Sequence, residues 1–302
     1  MATAQFGRVI TAMITPFTED GAVDYESAVA LAKHLVAHGS EGLLVGGTTG
    51  EGATMTAEEK LKLYTLIVDA VGKRGEGKKV PVMGNIGTIS TADTIAFGNK
   101  AKETGIDCAL VIVPFYVKPN QEGMYQHFKA VAKGVDLPLV LYNVPGRTGV
   151  SIQPETIKRV VDECPNVVGI KDATGNWDQV TKEKAVLPED FMIYSGDDAF
   201  TLPVLLAGGV GIISVSAHVI GDDMLAMVDA FEKGDLEKAR ELHLKMYEIN
   251  KGMFFTASPT PVKTATNLVG QPGGHFRLPM VEPTEAEKAK VRQMLENYGG
   301  LL

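Results

Sequence analysis

The chain has 302 residues, of which 45% are hydrophobic and 22% charged, the composition of an ordinary globular protein. Its formal net charge of −8 and its pI near 5.3 argue against nucleic acids and acidic membranes as partners, because both bind basic surfaces. Cys108 and Cys164 have no CxxC spacing. The N-terminus has no signal-peptide pattern, and no apolar run approaches the ~18 residues of a membrane span. We therefore expect reduced thiols and a cytoplasmic location.

Short apolar, β-prone runs recur along the chain. They lie at residues 9–14, 42–45, 80–83, 109–113, 139–142, 167–170, 192–194 and 211–214. Segments with helical spacing of apolar residues separate them, at 25–38, 57–71, 91–104, 125–134, 155–163 and 199–207, with a poorly defined stretch after Gly175. This alternation is typical of parallel βαβ units and predicts an α/β protein with a (β/α)₈ TIM barrel. A doubly wound open sheet is the alternative, but the GxGxxG that usually follows its first strand is absent.

The pattern changes after Ser214. Helical segments follow without strands between them, at 222–231, 236–252, 260–269 and 285–297. Thr284 stands where an N-cap of the last helix would be. The first of these helices closes the barrel, so we expect the barrel to occupy residues 1–234 and a C-terminal helical extension to occupy 235–302.

Lys171 is the unusual residue among those that follow the predicted strands. It ends the apolar run 167–170, which places its side chain in the mouth of the barrel, where active sites of this fold lie. Burial there favours the neutral amine, and a neutral amine attacks carbonyl groups. The alternative is a lysine that reaches solvent and pairs with Asp172 or another carboxylate.

Four further residues are candidates for the same mouth. Tyr142 ends the neighbouring strand, and its phenol could transfer protons, or it could be a core aromatic. Thr48 and Thr49 lie in a glycine-rich turn whose backbone N–H groups could hold a carboxylate, although a plain tight turn has the same composition. Arg147, in a loop after Tyr142, could grip a carboxylate with two hydrogen bonds or be a surface arginine.

Two other clusters indicate metal sites only weakly. His34 and His38 are four residues apart on a predicted helix, but no third ligand is near. Asp197 and Asp198 could bind a cation, yet their place before a helix favours a capping role. We expect no metal and no cofactor.

Three segments together resemble the dihydrodipicolinate synthase family, and the resemblance runs over nearly the whole chain. They read GLLVGGTTGEG at 42–52, YNVPGRTG at 142–149 and GIKDATGN at 169–176. The segments 114–119, 195–198 and 258–263 fit as well. The resemblance implies a (β/α)₈ barrel with C-terminal helices that joins pyruvate to L-aspartate 4-semialdehyde in diaminopimelate and lysine biosynthesis.

The resemblance also implies residue roles. Lys171 matches the imine-forming lysine, Tyr142 the proton-shuttling tyrosine and Thr48 the relay threonine beneath it. Tyr116 matches a tyrosine that crosses a dimer interface to complete a neighbour's relay, so a homo-oligomer is expected, a dimer or a dimer of dimers (homotetramer). The substrate-binding matches are Thr49 and Ile213 for the pyruvate carboxylate and Arg147 for the carboxylate of the aldehyde.

Other functions of the superfamily remain open at this point. Pyruvate lyases that cleave N-acetylneuraminate or 2-keto-3-deoxy sugar acids share the lysine and the tyrosine. Sialate lyases usually read Gly-Ser-Thr-Gly-Glu and lack the arginine, so Thr48 and Arg147 favour the synthase. A barrel that only binds a keto acid as a sensor is a third hypothesis, but binding alone does not need an imine.

Feedback inhibition by lysine is expected to be weak or absent. Lysine-sensitive members of the family tend to have a His or Trp, an Asn, a Glu and a Tyr in a crevice at the dimer interface. The corresponding positions here are Lys60, Ile89, Asp93 and Phe115. Lys60 would repel a cationic ligand, while Ile89 and Phe115 lack the polar groups that it would need.

Overall fold

The structure is a computed structural model that describes residues 3–75 and 78–302. Within these ranges, eight strands form a closed parallel barrel in which each strand pairs with the next and the last pairs with the first. The strands are Val9–Ala12 (β1), Gly42–Val45 (β2), Val82–Asn85 (β3), Cys108–Ile112 (β4), Leu139–Asn143 (β5), Val167–Asp172 (β6), Met192–Ser195 (β7) and Gly211–Ser214 (β8). The predicted (β/α)₈ barrel is thereby confirmed.

Helices follow the strands and surround the barrel. They are Tyr25–Ala37 (α1), Ala57–Ala70 (α2), Thr91–Glu103 (α3), Gln121–Gly134 (α4), Pro145–Thr148 (α5), Pro154–Glu163 (α6), Trp177–Val186 (α7), Thr201–Leu206 (α8) and Ala217–Glu232 (α9). Three more helices follow, Leu236–Gly252 (α10), Thr260–Leu268 (α11) and Glu285–Tyr298 (α12). Short 3₁₀ turns lie at Gly52–Thr54 and Asp198–Phe200. In the described ranges no helix is long and apolar enough to cross a bilayer.

The alternation of side chains along each strand divides the core into two layers. Residues that point inward, such as Ile10, Leu44 and Val140, fill the barrel. Residues that point outward, such as Val9 and Leu43, pack against the helices. Both faces of every strand are therefore covered, which explains why the strands read as continuous apolar runs.

Several predicted boundaries were wrong for local reasons. The third strand begins at Val82 instead of residue 80, and it continues to Asn85, which pairs with Leu110. Pro81, which has no N–H for the ladder, lies just before it. Helix α4 begins four residues before the predicted start, because the Asn120 side chain accepts a hydrogen bond from the Gly123 N–H (2.9 Å).

Two further helices differ from prediction, whereas the cap of the last helix agrees with it. Helix α7 has an ordinary asparagine cap at Asn176 but little apolar periodicity, which is why the sequence left this segment undefined. Helix α9 begins at Ala217 and kinks at Ile220, before the predicted start. Thr284 caps α12 by accepting a hydrogen bond from the Glu287 N–H, and the Glu287 carboxylate accepts one from the Thr284 N–H, which completes a capping box.

Candidate active site

Lys171 and Tyr142 lie side by side in the mouth of the barrel. They are paired in register on β6 and β5, near the carboxyl ends of the strands. Both are buried, and the Lys171 Nζ lies 4.7 Å from the centre of the Tyr142 ring. With Thr48 and Thr49 they line one cavity of about 380 Å³. The structure thus brings together four of the residues that the sequence singled out.

The environment of Lys171 lowers the pKa of its amine to about 8. Burial is the main cause, and the positive charge of Arg147 acts in the same direction, whereas the carboxylate of Asp198 opposes it. Among the described residues none forms a hydrogen bond or an ion pair with the amine. The alternative of an ion pair with Asp172 is therefore not what the structure has. Roughly a tenth of the amine is neutral at pH 7, which is enough for attack on a carbonyl group.

The phenol of Tyr142 is suited to act as a proton donor. Burial raises the pKa of its phenol, while the charge of Arg147 and a hydrogen bond with the Thr48 side chain lower it in part. The phenol is therefore neutral near pH 7. Because the Lys171 amine and the Thr48 side chain are both close to Tyr142, the phenol can exchange protons with groups at both positions.

The turn after β2 is held in a tight conformation by its glycines. Gly46 has a φ of 67°, and a Cβ at Gly52 would lie 1.9 Å from the Gly46 carbonyl oxygen. The Gly52 N–H donates to the Gly47 carbonyl at 3.0 Å. Within the described residues, the N–H groups of Thr49 and Gly50 have no acceptor. Thr49 lines the cavity, so the turn can offer this N–H to an anion there.

Arg147, Tyr116 and Ile213 lie around this cavity and not in its lining. Arg147 and Tyr116 line a second, open cavity of about 510 Å³, which shares Phe115 with the first. Tyr116 is 86% exposed and has a φ of 64°. Ile213 is fully buried in β8. The segment that carries Arg147 was expected to be a loop, but Pro145–Thr148 forms one turn of helix, started by a proline that fits the first helical position.

Asp198 has a role that the sequence did not reveal. Its neighbour Asp197 caps the following 3₁₀ turn by accepting from the Ala199 N–H at 2.9 Å, as predicted. Asp198 instead points inward, where it accepts hydrogen bonds from the Ser214 hydroxyl and from the Val215 N–H (3.0 Å). Burial raises the pKa of its carboxyl to about 6. It is ionised at neutral pH and acts on Lys171 through its charge.

A pair of buried carboxyl groups lies behind the lysine. Asp172 follows Lys171 in β6, and Glu183 of α7 is next to it. Burial raises the pKa of both carboxyls, and the charge of Asp172 raises that of Glu183 further. The sequence does not predict this pair, because only the packing of α7 against the barrel brings the two residues together.

Proteins of known name are similar to this chain in sequence and in fold over nearly its whole length. Residues 5–298 match the model of the dihydrodipicolinate synthetase family. The chain is 48% identical to 4-hydroxy-tetrahydrodipicolinate synthase of Heliobacterium modesticaldum, over 98% of this chain and 96% of the relative. The corresponding enzyme of Moorella thermoacetica is 46% identical over 98% of this chain and 99% of its own.

Solved structures agree with the sequence relatives. Dihydrodipicolinate synthase from Cyanidioschyzon merolae, crystallised with lysine bound, superposes with a TM-score of 0.94 at 41% identity, over 98% of this chain and 99% of the other. Dihydrodipicolinate synthase from Thermotoga maritima gives 0.93 at 39% identity, over 98% and 99% of the two chains. The chain therefore belongs to the dihydrodipicolinate synthetase family and is, like these relatives, an enzyme of the lyase type.

Proposed function

We propose that this enzyme condenses pyruvate with L-aspartate 4-semialdehyde to 4-hydroxy-tetrahydrodipicolinate through an imine on Lys171. The relatives named for this product support the overall reaction. The observation that carries the chemistry is the buried amine of Lys171, whose pKa is lowered to about 8 and which has no ion-pair partner among the described residues. An amine in this state is a nucleophile near neutral pH.

The covalent steps follow from the chemistry of a neutral amine. The Lys171 nitrogen adds to the keto carbon of pyruvate to give a carbinolamine, and loss of water gives the imine. Removal of a proton from the pyruvate methyl group gives an enamine, whose carbon attacks the aldehyde of the second substrate. The amino group of that substrate then replaces the Lys171 nitrogen, which closes the ring and frees the enzyme.

Tyr142 and Thr48 are proposed to move the protons of these steps. The carbinolamine needs a proton on its hydroxyl before water leaves, and the aldehyde oxygen needs one when the new carbon–carbon bond forms. The neutral Tyr142 phenol, hydrogen-bonded with Thr48, can give and take such protons.

The two carboxylates of the substrates are assigned to different places. The free N–H group of Thr49, which lines the lysine cavity, suits the pyruvate carboxylate. Ile213 is proposed to line the same subsite through its backbone. Arg147, outside that cavity but close enough to affect the pKa values of Lys171 and Tyr142, suits the carboxylate of the semialdehyde.

Reductive trapping tests the proposal. Incubation with pyruvate and borohydride should add one reduced pyruvyl group per chain, and peptide mass spectrometry should find it on Lys171. A coupled assay should show turnover with pyruvate plus aspartate semialdehyde and none with N-acetylneuraminate. An adduct on another residue, or no adduct, would sink the mechanism, and turnover of N-acetylneuraminate would reassign the substrate.

Tyr116 is proposed to act in the site of a second copy of the chain. Its side chain is 86% exposed and its backbone adopts a left-handed conformation, so in a single chain the ring has no evident function. Tyr116→Phe and Lys171→Arg chains, each of low activity, should regain activity when mixed under subunit exchange. No regain in mixtures shown to contain hybrids would contradict the shared site.

We propose that the enzyme is cytoplasmic. Cys108 and Cys164 are both buried, unpaired thiols. Such thiols suit a reducing compartment such as the cytoplasm.

A further inference from the structure

A buried ion pair joins the C-terminal helices to the turn that follows β2. The Lys263 Nζ on α11 lies 2.6 Å from the Glu51 Oε1, and their side chains are 0% and 2% exposed. The two residues are 212 positions apart in the chain. Neither one lines the lysine cavity, and none of the covalent or proton-transfer steps uses them.

Glu51 is the residue that fixes the end of the glycine-rich turn. Its backbone is left-handed, with a φ of 51°, a conformation that residues other than glycine avoid unless their surroundings impose it. Its N–H donates to the Thr48 carbonyl at 3.0 Å. One residue is thus tied through its backbone to the candidate relay threonine and through its side chain to α11.

The segment around α11 surrounds the Glu51 carboxylate with donors. The second oxygen accepts from the Arg277 N–H at 3.3 Å. Lys263 also donates to the His275 carbonyl, and its ammonium lies 4.5 Å from the centre of the Phe17 ring. The ammonium therefore has an anion, a carbonyl and an aromatic face around it, which favours its charged form despite complete burial.

Arg277 holds the far side of the same turn. Its guanidinium forms two hydrogen bonds with the carboxylate of Glu59, at 2.7 and 2.8 Å, and donates to the Thr54 carbonyl at 3.0 Å. Thr54 ends the 3₁₀ turn that begins at Gly52, directly after Glu51. The C-terminal segment thus contacts the turn at two points, through the ion pair of Lys263 with Glu51 and through the hydrogen bond of Arg277 with Thr54.

We propose that Glu51 and Lys263 are positioning residues for the keto-acid site. Their ion pair fixes the turn so that the N–H group of Thr49 and the hydroxyl of Thr48, both from residues that line the cavity, are held in place for the keto acid. This inference rests on the proposed function, in which the turn binds the pyruvate carboxylate. Loss of one partner leaves a buried charge without its counterion, and the turn is then expected to shift to bring that charge toward water.

The test uses the full-length enzyme and three variants. Lys263→Met removes the charge and keeps most of the side-chain length. Glu51→Gln keeps the shape and leaves an oxygen that Lys263 can still bond, so this variant keeps the inference testable if Lys263→Met fails to fold. The double variant removes both charges. Lys238→Met is the matched control, since it removes a lysine on α10 that pairs with Glu241 at the surface (2.9 Å).

Two quantities separate positioning from a purely structural role. They are the pyruvate concentration that half-saturates borohydride labelling of Lys171, and the pH midpoint of that labelling at saturating pyruvate. Each single variant should need ~10- to 100-fold more pyruvate for half-saturation, because a displacement of the binding turn by about 1 Å is enough to weaken its contacts with the substrate by that factor. The pH midpoint should stay where it is in the parent enzyme, since neither residue contributes to the pKa shift of Lys171. The double variant should recover part of the loss.

The outcomes distinguish this inference from the proposed function. If the parent enzyme itself is not labelled at Lys171, the proposed function fails. A second outcome concerns the variants, given a parent enzyme that is labelled at Lys171. If Glu51→Gln and Lys263→Met are folded and need no more pyruvate than Lys238→Met, the positioning role is wrong and the pair only stabilises the fold. A double variant as impaired as the sum of both single variants would also contradict it, because coupled partners are not additive.

Discussion

The two deeply buried lysines, Lys171 in the barrel mouth and Lys263 on α11, differ in their partners and not in their burial. Lys171 is 5% and Lys263 0% exposed, and burial lowers the pKa of both amines. Lys263 has the Glu51 carboxylate at 2.6 Å, which acts against the effect of burial. Lys171 has the ring of Tyr142 beside it and feels the charges of Asp198 and Arg147, but among the described residues it has no ion-pair partner. A buried lysine becomes a nucleophile when no counterion is built beside it, whereas the same side chain with a carboxylate partner serves as a structural cation.

Replacement of Lys171 by arginine should have the largest effect on activity. Lys171→Arg keeps the positive charge, but a guanidinium does not lose its proton and cannot form the imine. We expect the turnover rate to fall by on the order of a thousandfold or more and the borohydride adduct to disappear. Circular dichroism should show an intact fold. Residual labelling of the variant at another lysine would contradict the assignment.

Arg147→Ala should weaken use of the semialdehyde by about a hundredfold. A charge-assisted pair with the carboxylate of that substrate contributes ~2–3 kcal/mol, and each 1.4 kcal/mol or so is a factor of ten. At a pH well above the Lys171 midpoint, where loss of the Arg147 charge does not change the protonation of the amine, labelling by pyruvate should reach the same level at the same pyruvate concentration. Arg159→Ala is a suitable control, since Arg159 pairs with Glu122 on the surface (2.9 Å). An equal loss in pyruvate affinity would show that Arg147 serves the first substrate instead.

The pH dependence of trapping should report the pKa of Lys171. Only the neutral amine attacks, so the rate should rise about tenfold per pH unit below pH 8 and level off above it. A plateau that begins only above pH 10 would mean that the amine titrates as an ordinary lysine.

Asp198→Asn should move that midpoint to lower pH. The carboxylate of Asp198 raises the pKa of Lys171, so its removal leaves burial and Arg147 to lower that pKa further. A shift of about one unit is expected. Asp197→Asn, at the neighbouring cap, should leave the midpoint unchanged. A midpoint that moves upward in Asp198→Asn would show that the sign of this interaction is wrong.

The smallest expected effect is that of free lysine on turnover. Lys60, Ile89 and Phe115 line the same cavity as Lys171, and burial lowers the pKa of Lys60, which lies over the Phe97 ring. A cationic amino acid bound there would meet a lysine and two side chains without matching polar groups. We expect weak inhibition or none in a lysine titration. Strong inhibition at sub-millimolar lysine would show that these positions do not form the effector site.

The sequence predicted those parts of the site that depend on local pattern. Lys171 and Tyr142 could be placed because each ends an apolar run, and the ends of parallel strands meet at one rim of the barrel. The turn at Thr48 and Thr49 was evident from its glycines. Residues that depend on distant packing could not be found in this way. Asp198 looks like a cap in the sequence, because its contacts are with Ser214 at the end of β8 and with Val215 directly after it, 16 and 17 positions away.

The ion pair of Glu51 and Lys263 illustrates the same limit. The segment that contains Lys263 was noted for its resemblance to the family, but no spacing rule connects residues 212 positions apart. Tyr116 is the opposite case. The resemblance indicated its role, whereas the single chain leaves its ring in solvent, because the proposed partner of Tyr116 belongs to another subunit.

The carboxyl pair of Asp172 and Glu183, next to the reactive lysine, makes the stability of the fold depend on pH. In the unfolded chain both groups ionise near pH 4, but in the fold their pKa values are raised. The fold therefore binds more protons than the unfolded chain above that pH, and it loses stability as pH rises through the raised values. A rise in pH therefore frees the Lys171 amine of its proton, while ionisation of the carboxyl pair lowers the stability of the scaffold that holds it. The thermal unfolding temperature of the parent enzyme should thus decline with rising pH more steeply than that of Glu183→Gln. Parallel declines would show that other groups cause the pH dependence.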